Sequence, residues 1–217
     1  MIVRTAIVAL LAMLALGATG CGSKKTAAPA TTTGASGCSV ATAPTPATRT
    51  EPKPSALLSA TKVYTLTFAT NCGTFVVTLD QKQSPNAAAS LVSLAQKGFF
   101  DATVFHRIVP AFVIQGGDPT QTGTSGPGYS TVDKPPATAK YTHGVVAMAK
   151  TGADPAGTAG SQFFVVTSAD AQLPPDYAIV GTVTKGLDVV DRIGTLGDGN
   201  EQPTEVVEIT KVTVGES

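Results

Sequence analysis

From residue 63 the chain alternates apolar and polar positions with a period of two, the mark of a strand with one buried face. VYTLTFA (63–69) puts Tyr64, Leu66 and Phe68 on one side, and TFVVTLD (74–80) follows after Asn71-Cys72-Gly73, which predicts a hairpin. The period then lengthens. SPNAAASLVSLAQKG (84–98) carries Ala88, Leu91, Val92 and Ala95 on one helical stripe. Ser84 is placed to cap that helix, Pro85 suits its first turn, and Gly98 suits its end. Further strands are predicted around 104–108, 112–116, 145–149, 162–167, 178–184 and 205–214, with a short helix at 186–194 where Leu187, Val190 and Ile193 share a face. Short strands joined by hairpins and loops predict a mainly β fold, a closed barrel of about eight antiparallel strands capped by two α-helices. The body, 61–217, is long enough to bury roughly 70% of its unfolded surface.

The first sixty residues have no such pattern. Arg4 precedes an apolar run from Ala6 to Leu16, too short to span a bilayer comfortably and suited to the core of an export signal over 1–20. Ala18-Thr19-Gly20-Cys21 resembles the lipobox of bacterial lipoproteins, with Ala18 where leucine is usual. That resemblance implies cleavage before Cys21, a diacylglycerol on its sulfur, and anchoring on the outer face of the cell membrane. The alternative is an ordinary cleaved signal with an incidental cysteine. Residues 21–60 are rich in Ala, Thr, Pro, Ser and Gly, and read as a disordered tether. The two other cysteines, Cys38 and Cys72, fit either a disulfide in an oxidising compartment or two free thiols.

Charge changes the picture little. Only 14% of residues are charged and the net charge is zero. The positive excess lies before residue 61, so the body is mildly acidic and has no electrostatic footprint for nucleic acid. There is no GxSxG, HExxH or Cys/His cluster, and Asp118, Asp133 and Asp154 lack EF-hand spacing. No metal or organic cofactor is expected. His106 lies on the opposite parity to Arg107 and reads as structural, with one ring nitrogen satisfied by backbone. Two long Gly/Pro/Thr loops, DPTQTGTSGPGY and KTGADPAGTAG, have the length of functional loops.

What remains is Arg107, one cation in the apolar stretch FHRIVPAFVIQGGD. A guanidinium there needs partners. Alternation sets Val113 and Gln115 on one face with Phe112 at the strand entrance, and sets Gln162 with Phe164 in SQFFVV. These residues are expected to line one shallow apolar site with Arg107, the two amides offering donors and acceptors to a peptide backbone.

FHRIVPAFVIQGGD, GVVAMAK, GSQFFVVTS and AIVGTV, in that order and spacing, resemble the cyclophilin family of peptidyl-prolyl cis-trans isomerases over about 62–214. The resemblance implies that Arg107 is the catalytic arginine, hydrogen-bonding the prolyl nitrogen of a twisted amide. It implies that Phe112, Val113, Gln115, Ala149, Lys150, Gln162, Phe164, Leu173 and Tyr177 bind the substrate. Val113 stands where many members have methionine, Lys150 where eukaryotic members have asparagine, and Tyr177 where others have histidine. Gln172 replaces the tryptophan of cyclosporin-binding members, which argues against tight binding of that drug. The expected partners are proline-containing segments of exported proteins, met by a monomer. The alternatives are a proline-peptide-binding module with little turnover and a solute-binding or structural lipoprotein. The last would call for a two-lobed α/β pattern, which is absent. Arg107 itself is expected half-exposed on the outer concave face, braced by Gln115, and neither a core residue nor part of a decorative salt bridge.

Overall fold

The computed structural model describes residues 33–34 and 36–217. The export signal and Cys21 lie outside the described residues. Among the described residues eleven strands and two helices follow in the order β1 (Tyr64–Thr70), β2 (Gly73–Leu79), α1 (Pro85–Gln96), β3 (Thr103–Val104), β4 (Arg107–Val109), β5 (Val113–Gly116), β6 (Thr131–Val132), β7 (Val145–Met148), β8 (Thr158–Ala159), β9 (Phe163–Val166), β10 (Ile179–Lys185), α2 (Leu187–Gly194) and β11 (Glu208–Glu216). Nine strands form one antiparallel sheet in the order β3-β11-β1-β2-β10-β7-β9-β5-β4, and β6 pairs with β8.

The closed barrel of eight strands is not what is seen. The sheet has nine strands and two open edges, β3 and β4, which are consecutive in the chain. The strand expected at 104–108 is broken at Phe105-His106, where Phe105 turns fully into the core and its N–H bonds Val207 O. The two edges are therefore joined by chain rather than by a ladder.

The alternation predicted for the strands decides which face each residue takes. Tyr64, Leu66, Phe68, Phe75, Val77 and Leu79 enter the main core, where Phe68 stacks on Phe75 at 4.8 Å and Phe105 and Phe163 meet edge to face at 6.1 Å. Phe163 and Val165 point into the same core, while Phe164 and Val166 belong to a second, smaller apolar cluster on the other face. That second cluster underlies the site.

Helix α1 begins at Pro85, and Ser84 occupies its cap position, but the Ser84 hydroxyl donates to Ile179 O instead of capping. The cap comes from a distant loop. The Asp133 carboxylate accepts from the N–H groups of Asn86 and Ala87 and from the Asn86 amide, a better match for the helix's positive end than a neutral hydroxyl. Gly98, at φ 70°, ends the helix, with Gly98 N–H bonded to Ala95 O and Phe99 N–H to Leu94 O.

Residues 38–54, expected as part of a free tether, are laid along the body. A disulfide joins Cys38 to Cys72 in the β1–β2 turn. The Arg49 guanidinium donates to the carbonyls of Gly98, Phe99 and Asp101, just past the end of α1. Backbone bonds tie Ala47 to Pro119 and Glu51 to Pro127, and the Gln121 amide reaches Pro44 O. Composition suggested a chain with too little apolar surface to order itself. Here the order comes from a covalent link and polar contacts, which a burial argument does not anticipate.

Candidate active site

Sheet register assembles the site. Arg107 on β4 lies opposite Gln115 on β5, Gln115 lies opposite Phe164 on β9, and Phe164 lies opposite Ala147 on β7. One row across four strands thus sets a cation, an amide and an aromatic ring side by side on the face away from the main core. The next row is Val109, Val113 and Val166. Gln162 sits just before β9, where its carbonyl accepts from Ala149 N–H.

These side chains open onto a cleft of about 200 Å³ lined by Arg107, Phe112, Val113, Gln115, Ala149, Lys150, Phe164, Leu173 and Tyr177. Its floor is aromatic. Tyr177 meets Phe164 edge-on at 5.5 Å, and Tyr141, fully buried beneath, meets both. The Tyr141 hydroxyl donates to Tyr177 O and accepts from Tyr177 N–H, so a phenol fixes the backbone of the pocket wall. Gln172 is exposed and does not line the cleft. A neighbouring cleft of about 290 Å³ shares Gln115, Ala149 and Lys150 and also takes in Gln162; its outer walls are the two Gly/Pro/Thr loops, through Ser125, Gly126, Tyr129 and Asp154. A larger open groove of about 500 Å³, between residues 60–63 and 78–83, holds neither an arginine nor an aromatic ring.

The polar groups form a relay of fixed direction. Arg107 Nη1 donates to Gln115 Oε1 at 3.3 Å, Gln115 Nε2 to Gln162 Oε1 at 3.1 Å, and Gln162 Nε2 to Ser125 O at 2.9 Å. An arginine can only donate and a carbonyl can only accept, so both amides are oriented from both ends. Ser125 is in turn held by Asp118. This buried carboxylate accepts from the N–H groups of Thr120, Thr124 and Ser125 and from the hydroxyls of Thr120 and Thr122. Burial pushes the Asp118 carboxyl up, but the bonds from Thr120 and Ser125 outweigh it and leave it below its ordinary value.

Three residues depart from expectation: Arg107, Lys150 and His106. Arg107 does have a carboxylate: its Nε donates to Glu201 Oε2 at 2.6 Å. The pair is open to solvent, with side-chain exposures of 32% and 49%, so this is no buried ion pair. The hydrogen bond from Arg107, and then its charge, hold the Glu201 carboxyl below its ordinary value. Lys150, by contrast, has a side chain only 3% exposed. Its ammonium donates to Thr151 O and Asp154 O, pairs with Asp176 at 2.8 Å and lies 5.5 Å from the Tyr177 ring centre. Lys150 therefore lends the cleft its stem, while its charge is used to hold two loops together.

His106 does not line either cleft. Neither of its ring nitrogens has a partner among the described residues, so the expected backbone bond is missing. The nearby Gln162 amide is engaged by Gln115 and Ser125 instead. Burial pushes the imidazole below its ordinary value, against a smaller opposite pull from Asp118. Among the described residues no cluster of His, Cys, Asp and Glu is arranged to hold a metal ion.

Glu201, Asp118 and Tyr141 went unassigned in the sequence. Glu201 lies 94 positions from Arg107, and nothing in its local pattern points to it. Asp118 had a usable signal, since it stands in QGGD followed by threonines at 120, 122 and 124, a run suited to local side-chain capping.

Residues 65–214 match the sequence profile of the family described as "Cyclophilin type peptidyl-prolyl cis-trans isomerase/CLD". A protein named "Probable peptidyl-prolyl cis-trans isomerase A" from Mycobacterium leprae is 38% identical over 169 residues, covering 69% of this chain and 91% of that protein. Peptidyl-prolyl cis-trans isomerase CYP18-2 from Arabidopsis thaliana is 34% identical over 154 residues, covering 69% and 92%. Among solved structures, a cyclophilin type peptidyl-prolyl cis-trans isomerase of Cryptosporidium parvum superposes with a TM-score of 0.65 at 30% identity, covering 70% of this chain and 98% of that one. The same protein solved in the presence of the dipeptide Ala-Pro gives a TM-score of 0.64.

Proposed function

The chain belongs to the cyclophilin-type peptidyl-prolyl cis-trans isomerases, and we propose that it accelerates X–Pro rotation through Arg107, acting on exported polypeptides at a membrane surface. Rotation about an X–Pro bond breaks amide resonance against a barrier of about 18–20 kcal/mol. No bond to carbon is broken and no proton need be transferred, which fits a cleft without a nucleophile or a general base. The protein has only to bind the twisted amide better than either planar form.

The observation that carries this reading is the state of Arg107. Its Nε and Nη1 are engaged by Glu201 and Gln115, while Nη2 has no acceptor among the described residues and the side chain borders the cleft that Phe112, Val113, Phe164 and Leu173 also line. As the amide twists, the prolyl nitrogen regains a lone pair. A donor aimed at that nitrogen binds the twisted form and hardly touches the planar ones. A hydrogen bond from a charged donor contributes about 1.5–3 kcal/mol, roughly 10- to 100-fold in rate. Phe112, Val113, Phe164 and Leu173 would grip the proline ring, and Gln115 and Gln162 the substrate backbone.

The cellular part of the proposal rests on the sequence and one covalent link. The apolar run before Ala18-Thr19-Gly20-Cys21 supports an export signal over 1–20 and a lipid on Cys21. The Cys38–Cys72 disulfide agrees with an oxidising compartment. The domain plan is then a signal, a lipidated segment whose later part straps onto the body, and an isomerase domain over 61–217 that works as a monomer.

The test is exchange spectroscopy on an Ala-Pro peptide with the full chain. Faster cis–trans exchange at catalytic concentrations is the expected result. Peptide binding without acceleration would favour a binding module instead. Mass analysis of the protein from membranes checks for the diacylglycerol on Cys21.

A further inference from the structure

Glu201 is held in place by its backbone, independently of the ion pair it makes. It sits in the loop after α2 with a left-handed φ of 66°. The loop is closed on itself: Asp198 N–H bonds Gln202 O, Glu201 N–H bonds Asp198 O, and the Asp198 carboxylate accepts from the N–H groups of Asn200 and Gln202. It is also fastened to the free edge of β4, where Ile108 N–H donates to Glu201 O at 3.1 Å. Gly197 permits the approach, since a Cβ there would stand 2.2 Å from Ile108 O. The residue that bonds the backbone of position 108 thus has its carboxylate on the side chain of position 107.

The two bonds to Arg107 come from different elements and take different atoms. Glu201 takes Nε and Gln115 takes Nη1, which fixes the guanidinium plane and its rotation and leaves Nη2 directed elsewhere. A guanidinium on a half-exposed arginine stem otherwise samples many rotamers. We infer that Glu201 is a positioning residue for the isomerase reaction, holding the plane of Arg107 so that its unengaged nitrogen meets the prolyl nitrogen of the twisted amide. The inference rests on the reading of Arg107 given above.

The experiment compares Glu201→Ala and Glu201→Gln with the unaltered full chain, using kcat and KM on an Ala-Pro peptide and the NMR signal of Arg107 Nε–H. Glutamine keeps an acceptor for Nε, whereas alanine does not. The alanine variant is expected to lose kcat roughly five- to tenfold with KM changed less than about twofold, and to lose the slowly exchanging Nε–H signal. The glutamine variant should stay within about twofold of the unaltered chain and keep that signal. On an Arg107→Ala background, Glu201→Ala should have no further effect on kcat. Thermal unfolding of each variant checks that the loop still folds. An alanine variant with unchanged kcat, or one altered in KM alone, overturns the inference, as does a glutamine variant as impaired as alanine. If Arg107→Ala keeps full kcat, the reading of the arginine has failed and takes this inference with it. If Arg107→Ala is impaired and Glu201→Ala is not, only the inference has failed.

Discussion

Arg107 on β4 and Lys150 just after β7 border the same cleft, and each has a carboxylate within 2.8 Å. Their circumstances are otherwise unlike. Arg107 stands on an edge strand, a third exposed, with one nitrogen unengaged by acceptors among the described residues. Lys150 follows a central strand, and its nearly buried ammonium has partners for all three donors. A charge that is to act on a passing substrate must keep donors available and be easy to reach. A charge that is to hold loops must be dry and saturated. Position in one cleft does not make two cations equivalent; the number of donors left over separates them.

That contrast breaks most sharply at Lys150. Lys150→Ala would leave Asp176 and the carbonyls of Thr151 and Asp154 without their cation, and should lower stability by about 2–4 kcal/mol, with denaturant unfolding as the measurement. Peptide turnover of the folded fraction should change less than about threefold, far less than for a change at Arg107. A variant that is fully stable but inactive would reverse the assignment of the two cations.

The strap offers a second lever, because it holds the loop at the far end of the relay that begins at Arg107. Residues 44–51 bond the loop that carries Ser125, the last acceptor of the amide relay, through Pro119, Gln121 and Pro127. Replacing Cys38 and Cys72 together with serine should reduce stability by about 2–3 kcal/mol. Because the relay's end is loosened, turnover should fall modestly, while the Lys150–Asp176 pair is left intact. Hydrogen exchange of the Thr124 and Ser125 amides reports the loosening, and unchanged protection there would separate the strap from the site.

Much of this site could be read from the sequence, and what could not has a common cause. Alternation assigned Gln115, Gln162 and Phe164 to one face because strand parity is a local property. The resemblance to a family supplied Ala149, Leu173 and Tyr177, which no periodicity marks. Glu201, the burial of the Lys150 side chain and the docking of residues 38–54 depend on loops meeting across the fold. Such contacts leave no local signature. The sheet's open edges were missed for a related reason: the strand-like stretch over 104–108 does not reveal that Phe105 turns inward and breaks the strand.

A smaller effect sharpens the comparison further. Arg107→Lys keeps the charge but replaces a planar fork with a point donor that cannot hold Glu201 and Gln115 in the same way, so turnover should fall roughly tenfold with stability nearly unchanged. Smallest is a titration. The Glu201 carboxyl is held down by Arg107, so its contribution is present above the ordinary carboxylate range and is lost as pH falls through its lowered value. Carboxyl NMR should find it titrating below an ordinary glutamate, and Arg107→Ala should return it to the ordinary range.

The most direct test is kcat and KM of Arg107→Ala on an Ala-Pro peptide, beside the unaltered chain. The expected kcat is roughly 10- to 100-fold lower with peptide affinity largely kept, because the lost bond exists mainly in the twisted state. A variant that turns over at the unaltered rate would contradict it, and would move the search for the acting donor to the amides of Gln115 and Gln162.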